Sequence, residues 1–322
     1  MEWHLTADLA ILKLRSQLLN QVRTYFLKQG LIEVDPPCLS QAGVNDLHLD
    51  SLITQVQRQG QQVDYYLHTS PEYAMKRLLA TGLGDCFYLG KVWRDNDEGS
   101  RHQVEFTMLE WYRNEIDFFT LMDEVAEFVS DLLGLEKSVY LTYQAAFARY
   151  AEIEDVHHAS AAQLKACLDQ KGISIAGVDL EDKTLWEQLV FTEIVEPCLG
   201  EAKEIVLLYD FPAKAAALAE IDAEAPWIAK RFEVYVQGVE LANGYQELRQ
   251  GDDYLARFQG QCEQRIKAGK NCLPIDSRLV LALTESPLPL CSGVALGFDR
   301  LLMLLAGKKH IQDVICWGLD RA

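Results

Sequence analysis

Nowhere in the 322 residues is there an unbroken apolar run of about eighteen, the length that a membrane-crossing helix needs. The amino-terminal stretch MEWHLTADLAILKLRSQL has no apolar block followed by a small-residue cleavage site. Its apolar residues fall at helical spacing instead, so neither a span nor a secretory leader is read, and a cytoplasmic location is expected. The eight cysteines stand singly at 38, 86, 167, 198, 262, 272, 291 and 316, with no CxxC pair. That suggests neither a zinc site nor a disulfide framework and leaves buried thiols as the expectation. Cations are scarce: 30 Lys and Arg against 48 Asp and Glu give a net charge of −18. Nucleic-acid binding is dominated by neutralising phosphates, so wholesale binding of tRNA or DNA is disfavoured. The short basic stretches GKNC and GKKH read as solvated helix ends. Internal repeats and low-complexity segments are also missing.

What is present is an ordinary globular composition, 49% hydrophobic and 24% charged, long enough for one large sheet with flanking helices to form a single core. Residues 8–29 put Leu9, Leu12, Leu18, Leu19, Val22 and Phe26 near one stripe of a helix that Gly30 closes. LIEVDPPCLS then reads as a short edge strand stopped by Pro36 and Pro37. In YYLHTSPEYAMKRLLATG, Ser70 is the expected N-cap and Pro71 the first residue of a helix running to Gly82. Glu72, at that helix's start, is either a dipole-compensating residue or a ligand for a cation. Two alternating runs around DNDEGS predict a hairpin, and 117–134 an amphipathic helix. Residues 140–200 read as mostly helical, with His157 and His158 at the surface. EIVLLYDFP and RFEVYVQGVELANGYQEL form a second strand-rich block, 257–270 a helix, and SGVALGFDRLLMLLAG a strand running into a helix.

One strand resists a simple reading. In RHQVEFTMLEWYR (101–113), period two puts Phe106, Met108, Glu110 and Tyr112 on one face and Glu105, Thr107, Leu109 and Trp111 on the other. Glu110 between Met108 and Tyr112 breaks the core pattern, because a buried carboxylate is costly unless paired. Either the strand is an edge with a solvated Glu, or the face has a use. Elsewhere Arg94, Arg101 and His102 bracket the hairpin loop, Glu233, Glu240 and Glu247 recur every seven residues, and Gly293, Gly297 and Arg300 mark a strand-to-helix junction. Cations beside carboxylates suggest a triphosphate with magnesium. Arginine makes bidentate contacts to phosphate, and Mg²⁺ takes carboxylate and phosphate oxygens together.

WRDNDEGSRHQVEFTMLEWY resembles motif 2 of the class II aminoacyl-tRNA synthetases, GVALGFDRLLML resembles motif 3, and GLIEVDPPCLS resembles motif 1, which ends in a proline, here Pro37. TSPEYAMKRLL, EFTMLEWY and RFEVYVQGVELANGYQEL resemble the lysyl-tRNA synthetase core across nearly the whole chain. Lysyl-tRNA synthetases carry an amino-terminal OB-fold that reads the anticodon, whereas this chain starts at the catalytic core. It is therefore similar to the truncated paralogues that attach β-lysine to a lysine of elongation factor P.

The resemblance implies an α+β class II synthetase catalytic fold over 1–322, an antiparallel sheet flanked by helices without an OB-fold domain, and a helical insertion at about 140–200. It implies ATP and Mg²⁺ as cofactors, a homodimer formed through motif 1, elongation factor P as acceptor, no membrane partner and no tRNA. Arg94 would clamp the α-phosphate and act with Arg300 as the catalytic pair. Asp95, Asn96, His102, Gln103, Phe106, Glu240, Leu241, Gly297 and Arg300 would line the ATP site, with Phe106 stacking on adenine. Ser70, Pro71, Glu72, Glu110, Tyr112, Asn243, Glu247 and Ala295 would hold the amino acid, and Glu233 and Glu240 the metal. The sequence departs from lysyl-tRNA synthetases at Asn96, which stands where they have Glu, at Gln103 and Val104, which replace Asn-Pro, and at Ala295, which replaces Gly. A relict synthetase acting on tRNA or a small amine, or a silent amino-acid-binding paralogue, would share the fold. The joint presence of Arg94, His102, Glu240 and Arg300 argues against silence.

Overall fold

The computed structural model describes residues 3–175 and 177–322. In chain order these form α1 (Leu9–Lys28), β1 (Ile32–Glu33), β2 (Leu39–Ser40), β3 (Ile53–Arg58), β4 (Gln61–Leu67), α2 (Glu72–Ala80), β5 (Cys86–Trp93), β6 (Glu105–Asn114), α3 (Phe118–Leu133) and β7 (Lys137–Thr142). There follow α4 (Tyr143–Ala146), α5 (Ala161–Gln170), α6 (Lys183–Val190), β8 (Glu204–Pro212), β9 (Ile228–Val236), β10 (Val239–Gln246), α7 (Gly251–Lys267), α8 (Ser277–Glu285), β11 (Cys291–Gly297) and α9 (Phe298–Leu305). The chain divides into two compact units, one made of residues 1–117 with 246–322 and the other of 118–245.

In the first unit the strand order is β1-β5-β6-β11, with β6 antiparallel to both its neighbours. Glu110 pairs across to Tyr88 on one side and Ala295 on the other. The edge-strand reading of this stretch is therefore overturned, and Glu110 is only 2% exposed. β1 runs parallel to β5, a departure from the antiparallel sheet expected. The chain between them passes through β2, β3, β4 and α2, a crossover long enough for parallel pairing. β3 and β4 form a hairpin that the sequence reading missed, turned by Gln59 and Gly60, both at positive φ.

The later half of α1 packs on this sheet. Leu18, Val22 and Phe26 are buried, and the Phe26 ring lies 5.2 Å from Phe87 and 4.9 Å from Trp111. The predicted apolar stripe stops there, for Leu9 is 67% exposed. The expectation of unbonded thiols also needs correction. α7 ends before Gly269, whose positive φ reverses the chain, and Cys272 returns to form a disulfide with Cys262, their Cα atoms 5.0 Å apart. Cys86, Cys167 and Cys291 are buried thiols, while Cys198 and Cys316 are exposed.

In the second unit the order is β10-β9-β8-β7, with β7 parallel to β8. α4, α5 and α6 supply the crossover between that pair, which gives the helical stretch between about 140 and 200 its topological reason. Its core gathers Tyr143, Phe147, Trp186 and Val190 against Leu208 and Tyr235. Among the described residues no helix is long and apolar enough to cross a membrane.

Candidate active site

The start of α2 organises an acidic pocket in the first unit. Ser70 does not quite take its expected position, since the helix begins at Glu72 and Pro71 is the residue before it. Its hydroxyl still accepts from the Glu72 backbone N–H at 3.0 Å. The same hydroxyl donates to Glu110 Oε2 at 2.7 Å, while the Tyr112 hydroxyl donates to Glu110 Oε1 at 2.7 Å. Glu247 lies in the chain just after β10, buried, with Oε2 2.6 Å from the ammonium of Lys76. Lys76 also bonds Glu72 Oε1 at 2.5 Å, one helical turn back. Ser70, Glu72, Glu110, Tyr112 and Glu247 are thus brought together, with Pro71 buried between Ser70 and Glu72 in the chain and Ala295 in register with Glu110.

Two buried carboxylates with the half-buried Glu72 beside them are electrostatically expensive. Burial first, then the neighbouring Glu72, pushes the Glu110 carboxyl up to about 7, against the hydrogen bonds from Ser70 and Tyr112. Burial likewise carries Glu247 up to about 8, opposed chiefly by Lys76. Lys76 itself is raised: burial works against its charge, but Glu247 and Glu72 outweigh it. Gly293 on β11 shows how closely the pocket is built. A Cβ there would stand 2.5 Å from Glu247 Oε1 and 2.5 Å from a Tyr112 ring carbon. Packing around the acids, and no unusual backbone angle, therefore demands this glycine.

The loop between β5 and β6 carries the cationic groups. The Arg94 guanidinium lies over the Phe106 ring at 5.1 Å, and its Nε reaches the Thr69 carbonyl at 3.5 Å. His102 Nε2 meets an Arg300 terminal nitrogen at 2.5 Å, and Arg300 Nε donates to the Arg101 carbonyl at 3.3 Å. Asp95 donates its backbone N–H to Asp50, and Asn96 has positive φ, so this part of the loop is a turn with exposed side chains. Gln103 is buried. A methyl on Gly297 would meet the Arg300 side chain only at 3.5 Å, ordinary contact.

In the second unit, β9 and β10 place Asn243 opposite Glu233. Glu233 is buried, with Oε1 accepting from Arg231 and Oε2 from the Tyr235 hydroxyl. Arg231 also donates to Asn243 Oδ1 at 3.3 Å and to the Ala215 carbonyl at 2.6 Å, its guanidinium 4.8 Å from the Phe211 ring. Burial raises Glu233 to about 7, offset by Arg231 and reinforced by Glu240. Glu240 is half-buried beside an irregularity in the β9–β10 pairing, and Leu241 is buried. No cluster of three metal-ligating side chains occurs among the described residues. Magnesium bound through one or two carboxylates and phosphate oxygens needs no such cluster. Each Glu233 oxygen keeps a second lone pair, so the donor set fits that mode.

Sequence reasoning missed Lys76, Arg231 and Tyr235. A Lys four residues after Glu72 on a helix, and an Arg and a Tyr two residues either side of Glu233 on a strand, were the available signals, since those spacings share a face.

Comparison with known proteins agrees with the motifs. The family model described as tRNA synthetases class II (D, K and N) matches residues 5–321. Elongation factor P–(R)-β-lysine ligase of Yersinia enterocolitica is 42% identical over 322 residues, covering 99% of this chain and 98% of the relative. The protein of the same name from Proteus mirabilis is 42% identical over 323 residues, covering 100% of this chain and 98% of its own. That of Salmonella dublin is 41% identical over 322 residues, with 99% and 98% covered. A match running almost from end to end, together with motifs 1, 2 and 3 in order, means that this chain belongs to the class II (D, K and N) tRNA synthetase family.

Proposed function

We propose that the protein is an ATP-dependent ligase that adenylates (R)-β-lysine and transfers the β-lysyl group to the ε-amine of a lysine on elongation factor P, the activity that its relatives' names carry. The observation that supports this reading most is the acidic pocket of the first unit. Glu72, Glu110 and Glu247 converge there with one cation, Lys76, among them. Such a pocket is costly when empty and is relieved by positive charge. An amino acid with two ammonium groups supplies that charge, and a neutral or acidic one does not.

In this reading Glu110, Tyr112, Glu247 and Asn243 bind the distal ammonium, and Ser70 and Glu72 the other amine, with Pro71 and Ala295 shaping the pocket. Arg94 contacts the α-phosphate, with Asp95, Asn96, Gln103, Leu241 and Gly297 along the nucleotide. Arg94 over Phe106 marks a cation on an aromatic floor that adenine can share. Arg300, whose guanidinium meets His102 Nε2 as donor and so holds that imidazole as a neutral acceptor, supplies a cation suited to the γ-phosphate, with His102 beside it. Glu240, with Glu233 held by Arg231 and Tyr235, would hold magnesium, which neutralises charge on the triphosphate. The substrate carboxylate attacks the α-phosphorus, and the bond to the bridging oxygen breaks as pyrophosphate leaves. The acceptor's neutral amine then attacks the adenylate carbonyl. AMP departs, the amine's proton goes to solvent, and an amide remains. No protein nucleophile is needed; positioning and charge stabilisation carry the catalysis. A homodimer formed through the segment ending at Pro37, and a cytoplasmic setting, complete the reading.

ATP–pyrophosphate exchange tests the first half-reaction. Exchange should require an added lysine isomer and be strongest with (R)-β-lysine. Exchange that ignores every lysine isomer would contradict the proposal.

A further inference from the structure

The chemistry just described has no use for Lys76, yet its ammonium occupies the centre of the acidic pocket. The side chain is fully buried, with Nζ 2.5 Å from Glu72 Oε1, 2.6 Å from Glu247 Oε2 and 5.2 Å from the centre of the Tyr254 ring. Lys76 thus neutralises Glu247 Oε2, and a carboxylate oxygen with one such partner keeps a second lone pair. Its acceptor capacity is left for a ligand. If folding alone were at stake, well-packed apolar groups would serve as well as a buried ion pair.

Glu247 is faced by Lys76 and Glu72 from α2, by Glu110 and Tyr112 from β6, by Tyr254 from α7 and by Cys291 from β11. Of these Lys76 alone is cationic. We propose that Lys76 is a positioning residue for amino-acid recognition: its buried ammonium fixes Glu247 and lowers the cost of ionising it, so that the carboxylate form that meets the incoming amine is reached at lower pH. The proposal rests on the reading of Glu72 and Glu247 as ligands of the substrate's amines. Lys76 acts through Glu247 and need not touch the substrate.

The sign of the effect follows from the charges. Glu247 binds an ammonium only when ionised, so recognition is lost as pH falls through its pKa. Burial has already brought that pKa to about 8 against the opposition of Lys76. Without the lysine it moves higher still.

The experiment is kcat/KM for β-lysine in ATP–pyrophosphate exchange from pH 6 to 9, with ATP saturating, in the wild type and in Lys76→Met. Titration of the free substrate is common to both and cancels, and kcat/KM reports groups of the free enzyme. The rising limb should move to higher pH by at least about one unit, an approximately tenfold loss of kcat/KM at neutral pH. That loss should lie in KM for the amino acid, with KM for ATP unchanged. A limb at the wild-type pH, even with a lowered melting temperature, would show a structural role only and overturn the proposal. If Lys76→Met does not fold, the charge-balanced Lys76→Met/Glu72→Gln carries the same readout. Lys76 acts on Glu247 more strongly than Glu72 does, so the limb should still move upward. Wild-type protein without lysine-dependent exchange would overturn the pocket reading and this proposal with it. Exchange with an unmoved limb would overturn this proposal alone.

Discussion

Replacing Gly293 by alanine adds one methyl to the tightest point of the acidic pocket. That methyl would be built 2.5 Å from Glu247 Oε1 and 2.5 Å from the Tyr112 ring, distances that no real carbon tolerates. Neither neighbour has room to yield. Glu247 and Tyr112 are 1% and 2% exposed, Tyr112 is tied to Glu110, and Glu247 is paired with Lys76. Overpacking by a methylene-sized group costs about 1–3 kcal/mol. If the strain is relieved by displacing Glu247 or Tyr112, the same energy appears as weaker recognition. At about 1.4 kcal/mol per decade, the loss in kcat/KM for β-lysine is about 5- to 150-fold. Exchange at varied lysine and saturating ATP reads this directly, and the reverse titration should show KM for ATP within about twofold of wild type. Scanning fluorimetry should show a lowered melting temperature that excess β-lysine restores only in part. Wild-type KM for β-lysine in a folded Gly293→Ala variant would refute the geometry on which the pocket rests.

Arg94→Ala should lower exchange by at least about two orders of magnitude, the loss typical of deleting one preorganised charge-stabilising donor; near-normal exchange would contradict the role given to Arg94. Ala295 stands opposite Glu110 in the β6–β11 register, on the face that Glu110 occupies. Ala295→Gly should therefore open space beside the substrate and raise kcat/KM for α-lysine by about 10- to 200-fold relative to β-lysine, whereas an unchanged ratio would mean that the methyl serves only packing. Stability should depend on pH through Glu110 and Glu247, carried from the ordinary 4.5 to about 7 and about 8. A raised carboxyl binds more protons in the folded state than in the unfolded state, so its contribution is full below about 4.5 and is lost as pH rises through the folded value. The substrate-free protein should accordingly lose thermal stability from pH 6 to 8.5, and Glu110→Gln should lose less; parallel curves would contradict the burial of that acid.

The sequence exposed the unusual face of β6 because alternation makes a misplaced acid visible: Glu110 between Met108 and Tyr112 had no core explanation. It did not reveal that β6 is an interior strand, since that depends on β11 arriving from far along the chain. Lys76 was hidden for a related reason. A lysine next to an arginine on a helix reads as solvated, and the pairing with Glu247 from a distant segment is what marks it as buried. Glu233 was singled out but its partners were not, because Arg231 and Tyr235 are strand neighbours whose contacts with its two oxygens depend on the local packing. The Cys262–Cys272 bond arises from a chain reversal after α7, which spacing alone does not announce. The short β1, the hairpin of β5 and β6, the long helix before β7 and the strand-to-helix passage at Gly297 were all legible, each bounded by proline, glycine or a switch of period.

The measurement that bears most directly on the central claim is the intact mass of elongation factor P after incubation with this protein, Mg²⁺ and (R)-β-lysine, with and without ATP. The account expects a mass gain of one lysyl residue on a single lysine of the acceptor, dependent on ATP and larger with the β than with the α isomer. An acceptor of unchanged mass, while the same preparation charges tRNA at physiological salt, would contradict it.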